Sequence, residues 1–314
     1  MYSRFSRWLI VSTLFITASC AWGQHNAPPA SDQKRITALK QDAANGDADA
    51  QYLLGYRYEK GWGVPQDYKQ ALAWYRKAAE RGDTDAQLAL GTLYEDGEGV
   101  SQDYTKAVFW YRKAAEQGDA EAALSLAVMY EEGRGVPQDN AQATAWYRKA
   151  AEQFRKAAEQ GSAAAQYNLG NLYNSGQGVP QDSTQAVFWY RKAAEQGEFL
   201  AQRSLGLMYE QGDGVPQDYA QAAVLLRKAS EHGDAVAQHY LGVLYDKGQG
   251  VPQSYAEAYF WFDLAAASFD SNSLNVHRTA KFRDEAASHL TPDDLSREQE
   301  RARKWFEAHQ AKPR

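Results

Sequence analysis

Apolar residues in the middle of this chain return every three to four positions, break off, and resume, and the whole cycle recurs every 36 residues. Residues 46–81, "GDADAQYLLGYRYEKGWGVPQDYKQALAWYRKAAER", show it once through. Ala50, Leu54, Gly55 and Tyr58 make one stripe at helical spacing, and Ala71, Trp74, Tyr75, Ala78 and Ala79 make a second. Between them, Gly61 and Gly63 tolerate the positive φ that ends a helix, and Pro65 prevents its continuation. Asp47 and Asp67 stand where N-caps belong, and Gln70 follows Asp67 at capping-box spacing. The spacing predicts two amphipathic helices per cycle. Neither can bury its stripe alone, but a stack of such pairs can.

Six repeats of equal length follow this scheme: residues 46–81, 82–117, 118–153, 161–196, 197–232 and 233–268. Gly55 and its equivalents are expected to let two helices approach, with Trp74, Trp110, Trp146, Trp189 and Trp261 filling the core beyond. The departures carry expectations of their own. Glu198 is a poorer cap than Asp83, Asp119, Ser162 or Asp234, so repeat five should start less crisply. Ala127 replaces the repeat glycine in repeat three. Leu225 and Leu226 replace Trp-Tyr in repeat five and predict looser packing there. Leu264 replaces a lysine in repeat six and predicts burial against a cap. Residues 24–45 read as a linker and an N-terminal capping helix. Residues 269–314 read as a C-terminal helical cap of two helices. Thr291, Pro292 and Asp294 open the last of them, and Leu295, Ala302, Trp305 and Phe306 can cover repeat six.

One heptad stands outside the register. Residues 147–153 read YRKAAEQ and residues 154–160 read FRKAAEQ. Seven helical residues return to within about 20° of the starting face, so a helical insertion preserves the stripe, with Phe154 in the place of Tyr147. The second helix of repeat three is then expected to run two turns longer, about 10 Å, and to give the stack a step before repeat four. The alternative is a looped-out bulge.

The framework "A-x-x-x-L-G-x-x-Y-x-x-G-x-G-V-P-Q-D", followed by "A-x-x-W-Y-x-K-A-A-E-x-G", resembles the Sel-one-like repeat family, relatives of the tetratricopeptide repeats, over residues 46–268. The resemblance implies an all-α fold: a right-handed superhelical α-solenoid of about six 36-residue helix-turn-helix repeats with helical caps. It also implies adaptor work, holding other proteins together in bacterial envelope or secreted complexes. Cysteine-rich members staple each hairpin with a disulfide. This chain has a single cysteine, so the properties of that branch do not carry over.

Charge and composition narrow the partners. The net charge is −6, and the arginines and lysines recur with acids beside them as "RKAAE", which reads as solvated helix faces. Sequence-independent nucleic-acid binding needs clustered cations, so no nucleic-acid partner is expected. Residues 1–23 read as an export signal: Arg4 and Arg7, then the apolar run 8–18, then small residues with a cut after Gly23. The run is too short to span a bilayer as a helix, so no transmembrane span is expected once the signal is removed. Cutting there takes the net charge from −6 to −8 through the loss of two arginines. The expected location is periplasmic or secreted. The alternative is an outer-membrane lipoprotein anchored through Cys20, which follows a small-residue box that has Thr17 where leucine is usual.

No catalytic pattern emerges. His25, His232, His239, His277, His289 and His309 are scattered, each G-x-G is a turn after a helix, and Glu95, Asp96, Glu131 and Glu132 read as solvated helix tips. The expectation is a protein that is not an enzyme and uses no cofactor or metal. Function should lie where the repeats vary while the framework holds. Counting from the first glycine of each repeat, positions 6, 7 and 10 of the first helix change freely. In solenoids of the family it resembles, first helices line the inner curve. Tyr52, Tyr56, Tyr167, Asn168, Asn171, Arg203 and His239 are therefore the expected contributors to a protein- or peptide-binding groove. The competing reading is an envelope enzyme or cell-wall glycan binder with an unrecognised site in that groove.

Overall fold

The computed structural model of the protein describes residues 30–269 and 274–310. The export signal and Cys20 lie outside the described residues. The regular elements among the described residues are all α-helices. Helix α1 (Ala30–Asn45) precedes six pairs: α2 (Ala48–Lys60) with α3 (Tyr68–Glu80), α4 (Thr84–Asp96) with α5 (Tyr104–Glu116), α6 (Ala120–Glu132) with α7 (Asn140–Glu159), α8 (Ala163–Ser175) with α9 (Ser183–Glu195), α10 (Phe199–Gln211) with α11 (Tyr219–Glu231), and α12 (Ala235–Lys247) with α13 (Tyr255–Ser268). Helices α14 (Leu274–Ala287) and α15 (Pro292–Gln310) follow. The chain forms two compact units. The N-terminal unit runs to Phe154 and includes residues 177–179; the C-terminal unit takes residues 155–176 and 180 onward.

Each pair closes through the same set of bonds. In repeat one, the Asp47 side chain accepts from Ala50 N, and Asp67 accepts from the amides of Lys69 and Gln70. Gly61 ends α2 in the left-handed region at φ 70°, where a side chain would be strained. The loop then satisfies the last carbonyls of α2: Gln66 Nε2 donates to Glu59 O at 2.9 Å, and Asp67 N donates to Tyr58 O at 2.8 Å. Gln102, Gln138, Gln181, Gln217 and Gln253 repeat the glutamine bond. The start of repeat five is weaker, as its cap predicts: Glu198 reaches Leu200 N at 3.3 Å, against 2.7 Å for the aspartate caps.

The ring that meets the repeat glycine is the tyrosine of Trp-Tyr. A Cβ on Gly55 would stand 2.7 Å from the Tyr75 ring, and one on Gly91 2.3 Å from Tyr111. These tyrosines are fully buried, whereas Trp74 and Trp110 are only half-buried at the rim. Leu226 takes the tyrosine's place against Gly206 and is fully buried, so repeat five is not loosened at that contact.

Neighbouring pairs are tied by two clamps. A buried glutamine in the first helix donates to a carbonyl eight residues back, in the preceding second helix: Gln51 to Ala43, Gln87 to Ala79, Gln202 to Ala194 and Gln238 to Ser230. The arginine of "YRK" donates to the tyrosine hydroxyl of the following first helix: Arg76 to Tyr94, Arg112 to Tyr130, Arg191 to Tyr209 and Arg227 to Tyr245. These arginines are not simply solvated, as the charge pattern predicts, but bridge adjacent repeats.

Helix α7 runs unbroken through the duplicated heptad. In the C-terminal unit the clamps fall on the second copy: Gln166 donates to Ala158 O at 3.0 Å and Arg155 to the Tyr173 hydroxyl at 2.7 Å. In the N-terminal unit Gly178 lies on the backbone of Tyr147 and Arg148. The equivalent glycines elsewhere lie on the first residues of a second helix, Gly99 on Tyr68 and Gly135 on Tyr104. On α7 that contact has moved seven residues along the helix, from Asn140 to Tyr147.

Both ends are covered. Helix α1 contributes Ala43 to a small core with Ala50 and Leu54. At the other end Phe260, Trp261 and Leu264 are buried beneath α14 and α15. The Arg301 guanidinium stands 3.8 Å over the Phe260 ring and is held by Glu257 and Glu298.

Candidate functional site: the faces of the first helices

The framework residues of each first helix point into the stack, so its remaining face is built from the variable positions. In the N-terminal unit this face is aromatic in repeat one, while Ala89 of repeat two and Leu124, Ser125 and Val128 of repeat three are buried. Tyr52 is half-buried, stacked on Tyr56 at 6.4 Å and tilted against Tyr75 at 5.6 Å. Tyr56 stands edge-on to Trp62 at 5.4 Å. Leu53, beside Tyr52, is 48% exposed.

Sequence reasoning passed over position 3. It reads Asp49, Asp85 and Glu121 in the N-terminal unit, and Ala164, Leu200 and Val236 in the C-terminal unit. The three acids join the N-caps Asp83 and Asp119 in a row of electrostatic neighbours. Asp83 feels Asp85 and Asp49; Asp119 feels Asp85; Glu121 feels Asp119 and Asp85. Burial first, and mutual repulsion second, push the Glu121 carboxyl up to about 7. Burial also raises Asp83 and Asp119, against the amide hydrogen bonds that lower them. Among the described residues none of the five forms an ion pair. Arg81 lies close, but its guanidinium rests against Gly46.

In the C-terminal unit the same helix faces are largely closed. Tyr167 and Asn168 are buried, and Asn171 is half-buried and accepts from the Tyr190 hydroxyl at 2.7 Å. Arg203 is buried and pairs with Asp234, the N-cap of α12, at 2.7 Å, with both side chains 7% exposed. His239 lies among Tyr240, Phe262 and Phe282, with Thr279 Oγ1 2.9 Å from Nδ1. Burial, and then Arg278, push its pKa down to about 4. Of the seven residues expected to line a groove, Tyr52 and Tyr56 share one face, Tyr167 and Asn168 are buried, and Asn171, Arg203 and His239 have internal side-chain partners.

The acids at the first-helix ends also differ from expectation. Glu95 is buried, accepting from the Tyr111 hydroxyl at 2.8 Å and pairing with Arg134 at 2.9 Å. Glu131 accepts from Tyr147 and Gln177. These carboxylates hold the loops and are not solvated tips. An open hollow in the C-terminal unit is lined by Tyr259, Asp263 and Arg283, but its guanidinium is already shared by Asp263 and Asp284. No helix among the described residues is long and apolar enough to cross a membrane.

Comparison with known proteins agrees with this architecture. The Sel1 repeat model matches residues 48–83, 84–119, 120–153, 154–162, 163–198, 200–234, 235–268 and 287–308. The chain is similar to a Sel1 repeat protein of Oxalobacter formigenes of solved structure, at 33% identity and a TM-score of 0.62, over 77% of this chain and 94% of that one. A putative Sel1 repeat protein of Klebsiella pneumoniae is 26% identical over 67% of this chain and 98% of its own, at a TM-score of 0.43. Over 50 residues the chain is 44% identical to the secretory immunoglobulin A-binding protein EsiB of Escherichia coli, a match spanning 16% of this chain and 10% of that relative. Helix pairs joined by repeating clamps, matched along most of their length by one family, place this chain in the Sel1 repeat family of α-solenoids, whose members are in general non-catalytic scaffolds for protein interaction.

Proposed function

We propose that this protein is an exported adaptor that binds a partner protein or peptide on its first-helix faces and performs no chemistry on it. The observation that carries this reading is the division of labour within each repeat. The glutamine and arginine clamps and the buried ring on the repeat glycine recur, while positions 3, 6, 7 and 10 change from acid to alanine and from tyrosine to arginine. A surface that changes on a constant frame suits recognition of one particular partner. A relative named for binding an immunoglobulin supports a protein ligand, although it shares only a short stretch with this chain. Export rests on residues 1–23, with a periplasmic or secreted destination or a lipid anchor at Cys20. The test is mild crosslinking of the full chain in its native envelope, followed by identification of what is joined to it. One or two stoichiometric proteins joined through first-helix residues are expected. Recovery of glycan alone, or of nothing, would overturn the adaptor reading.

A further inference from the structure

His239 of α12 is half-buried where α12, α13 and α14 meet. Its ring lies 5.7 Å from Phe262 of α13 and 5.7 Å from Phe282 of α14, and stands edge-on to its neighbour Tyr240 at 5.4 Å. Its Nδ1 is 2.9 Å from the hydroxyl of Thr279, which is 1% exposed. A hydroxyl can donate to a neutral imidazole nitrogen or accept from a protonated one, so that hydrogen bond tolerates either state. The surroundings do not. Three aromatic rings strip water from the imidazole, and Arg278 of α14, seated over the Phe282 ring at 5.8 Å, repels a second cation. The carboxylates of the packed helices are engaged elsewhere: Asp263 and Asp284 pair with Arg283, and Asp234 with Arg203. The charge that acts on His239 is therefore that of Arg278, and no counter-ion offsets it. Among the described side chains of α14, Thr279 and Ala286 are the buried ones, and both are small. The first half of α14 is thus held around Thr279 and Phe282, where a charge on the imidazole would be placed.

We infer that protonation of His239 releases the first half of α14 from repeat six, so that acid opens the C-terminal cap and uncovers the rings of Tyr240 and Phe262. The device belongs to the cap and does not depend on the adaptor reading. Its direction follows from the two states of the imidazole. Released, the ring recovers the ordinary 6.5; in the closed cap, burial first and Arg278 second push it down to about 4. Closure is therefore fully favoured above pH 6.5 and loses ground as pH falls toward 4. Between pH 8 and pH 5 the open fraction rises about thirtyfold.

The test is amide exchange of the full chain, corrected for intrinsic exchange rates, which reads the open fraction over residues 275–282 at pH 8 and at pH 5. The wild type should gain about thirtyfold, and His239→Gln less than about threefold. His277→Gln, which removes an exposed histidine of the same helix, should keep the full gain. Arg278→Gln takes away the neighbouring cation, lets the closed-state imidazole titrate higher, and should lessen the gain by about threefold. A His239 substitution that loosens α14 at every pH leaves the test intact, because the readout is the change with pH and not its level. Equal gains in wild type and His239→Gln would assign the opening to Asp263, whose bridge to Arg283 also weakens on protonation, and would overturn the inference. So would a wild type that shows no gain, or a His277→Gln variant that loses it.

Discussion

Removing the Arg203 guanidinium should cost the C-terminal unit more than any surface ion pair could explain. Arg203 and Asp234 are each 7% exposed, and their contact is 2.7 Å. Surface pairs contribute at most about 1 kcal/mol, but removing one partner of a buried pair leaves an uncompensated charge and costs about 3–5 kcal/mol. In Arg203→Ala the carboxylate keeps its Ala237 amide and the favourable N-terminus of α12, which together offset about 1 kcal/mol. The expected loss is therefore about 3 kcal/mol, at the lower end of the range for a broken buried pair. In R203A/D234S the serine still caps α12 and no charge is stranded, so the double variant should lose only about 1 kcal/mol and be more stable than the single one. Urea denaturation followed by circular dichroism gives the totals. Because repeats can unfold in segments, amide exchange over α10–α12 gives the local value. A loss below about 1 kcal/mol in Arg203→Ala, or a double variant weaker than the single, would refute the assignment of this pair as a charge-neutralising clamp.

Further outcomes follow from the same contacts. Gly91→Val should destabilise by about 2–4 kcal/mol in thermal melts, because even a Cβ would stand 2.3 Å from the fully buried Tyr111 ring and the excess volume has nowhere to go. The Glu121 carboxyl, raised to about 7 in the fold, holds a proton that the unfolded chain releases. Its contribution therefore makes stability rise as pH falls from about 8 to about 5, by on the order of 1 kcal/mol, and melts of Glu121→Gln at the two pH values should lack that rise. His239 acts in the opposite sense. Its pKa of about 4 lies below the ordinary 6.5, so its contribution is lost as pH falls from 6.5 to 4, and His239→Gln should reduce the acid loss of amide protection in α14.

Nearly all the helix framework was legible because its signals are local and repeat in register. The caps Asp47 and Asp67, the turn at Gly61 and the paired stripes each depend on residues a few positions apart. Contacts about a repeat apart were harder to see. The glutamine at position 5 recurs in five repeats, and its regularity was a sufficient signal, but its partner lies in the preceding helix. Glu95 read as a solvated tip because its neighbours in sequence are polar; it is buried because Tyr111 and Arg134 converge on it from 16 and 39 residues away. The candidate face divides between open and internally bonded residues for a similar reason. Variability marks a position as free of the framework, but not as free of a partner. Arg203 and Asn171 vary because each has found its own internal hydrogen-bonding partner.

That distinction separates the two units chemically. Position 6 of repeat five meets the N-cap of repeat six, and Tyr52 at position 6 of repeat one is an electrostatic neighbour of the Asp83 cap. What occupies that place then decides whether the contact is closed. With arginine at position 6 and aspartate at the cap, as in Arg203–Asp234, the charge is neutralised inside the chain and both side chains leave solvent. With leucine or tyrosine there and acids added at position 3, burial raises Asp83, Asp119 and Glu121 beside the exposed Asp85. Stability alone favours the first arrangement, since unpaired, mutually repelling carboxylates lower it. Two successive junctions, repeat one to two and repeat two to three, carry the second arrangement, and its repulsion is a cost that the Arg203–Asp234 junction does not bear.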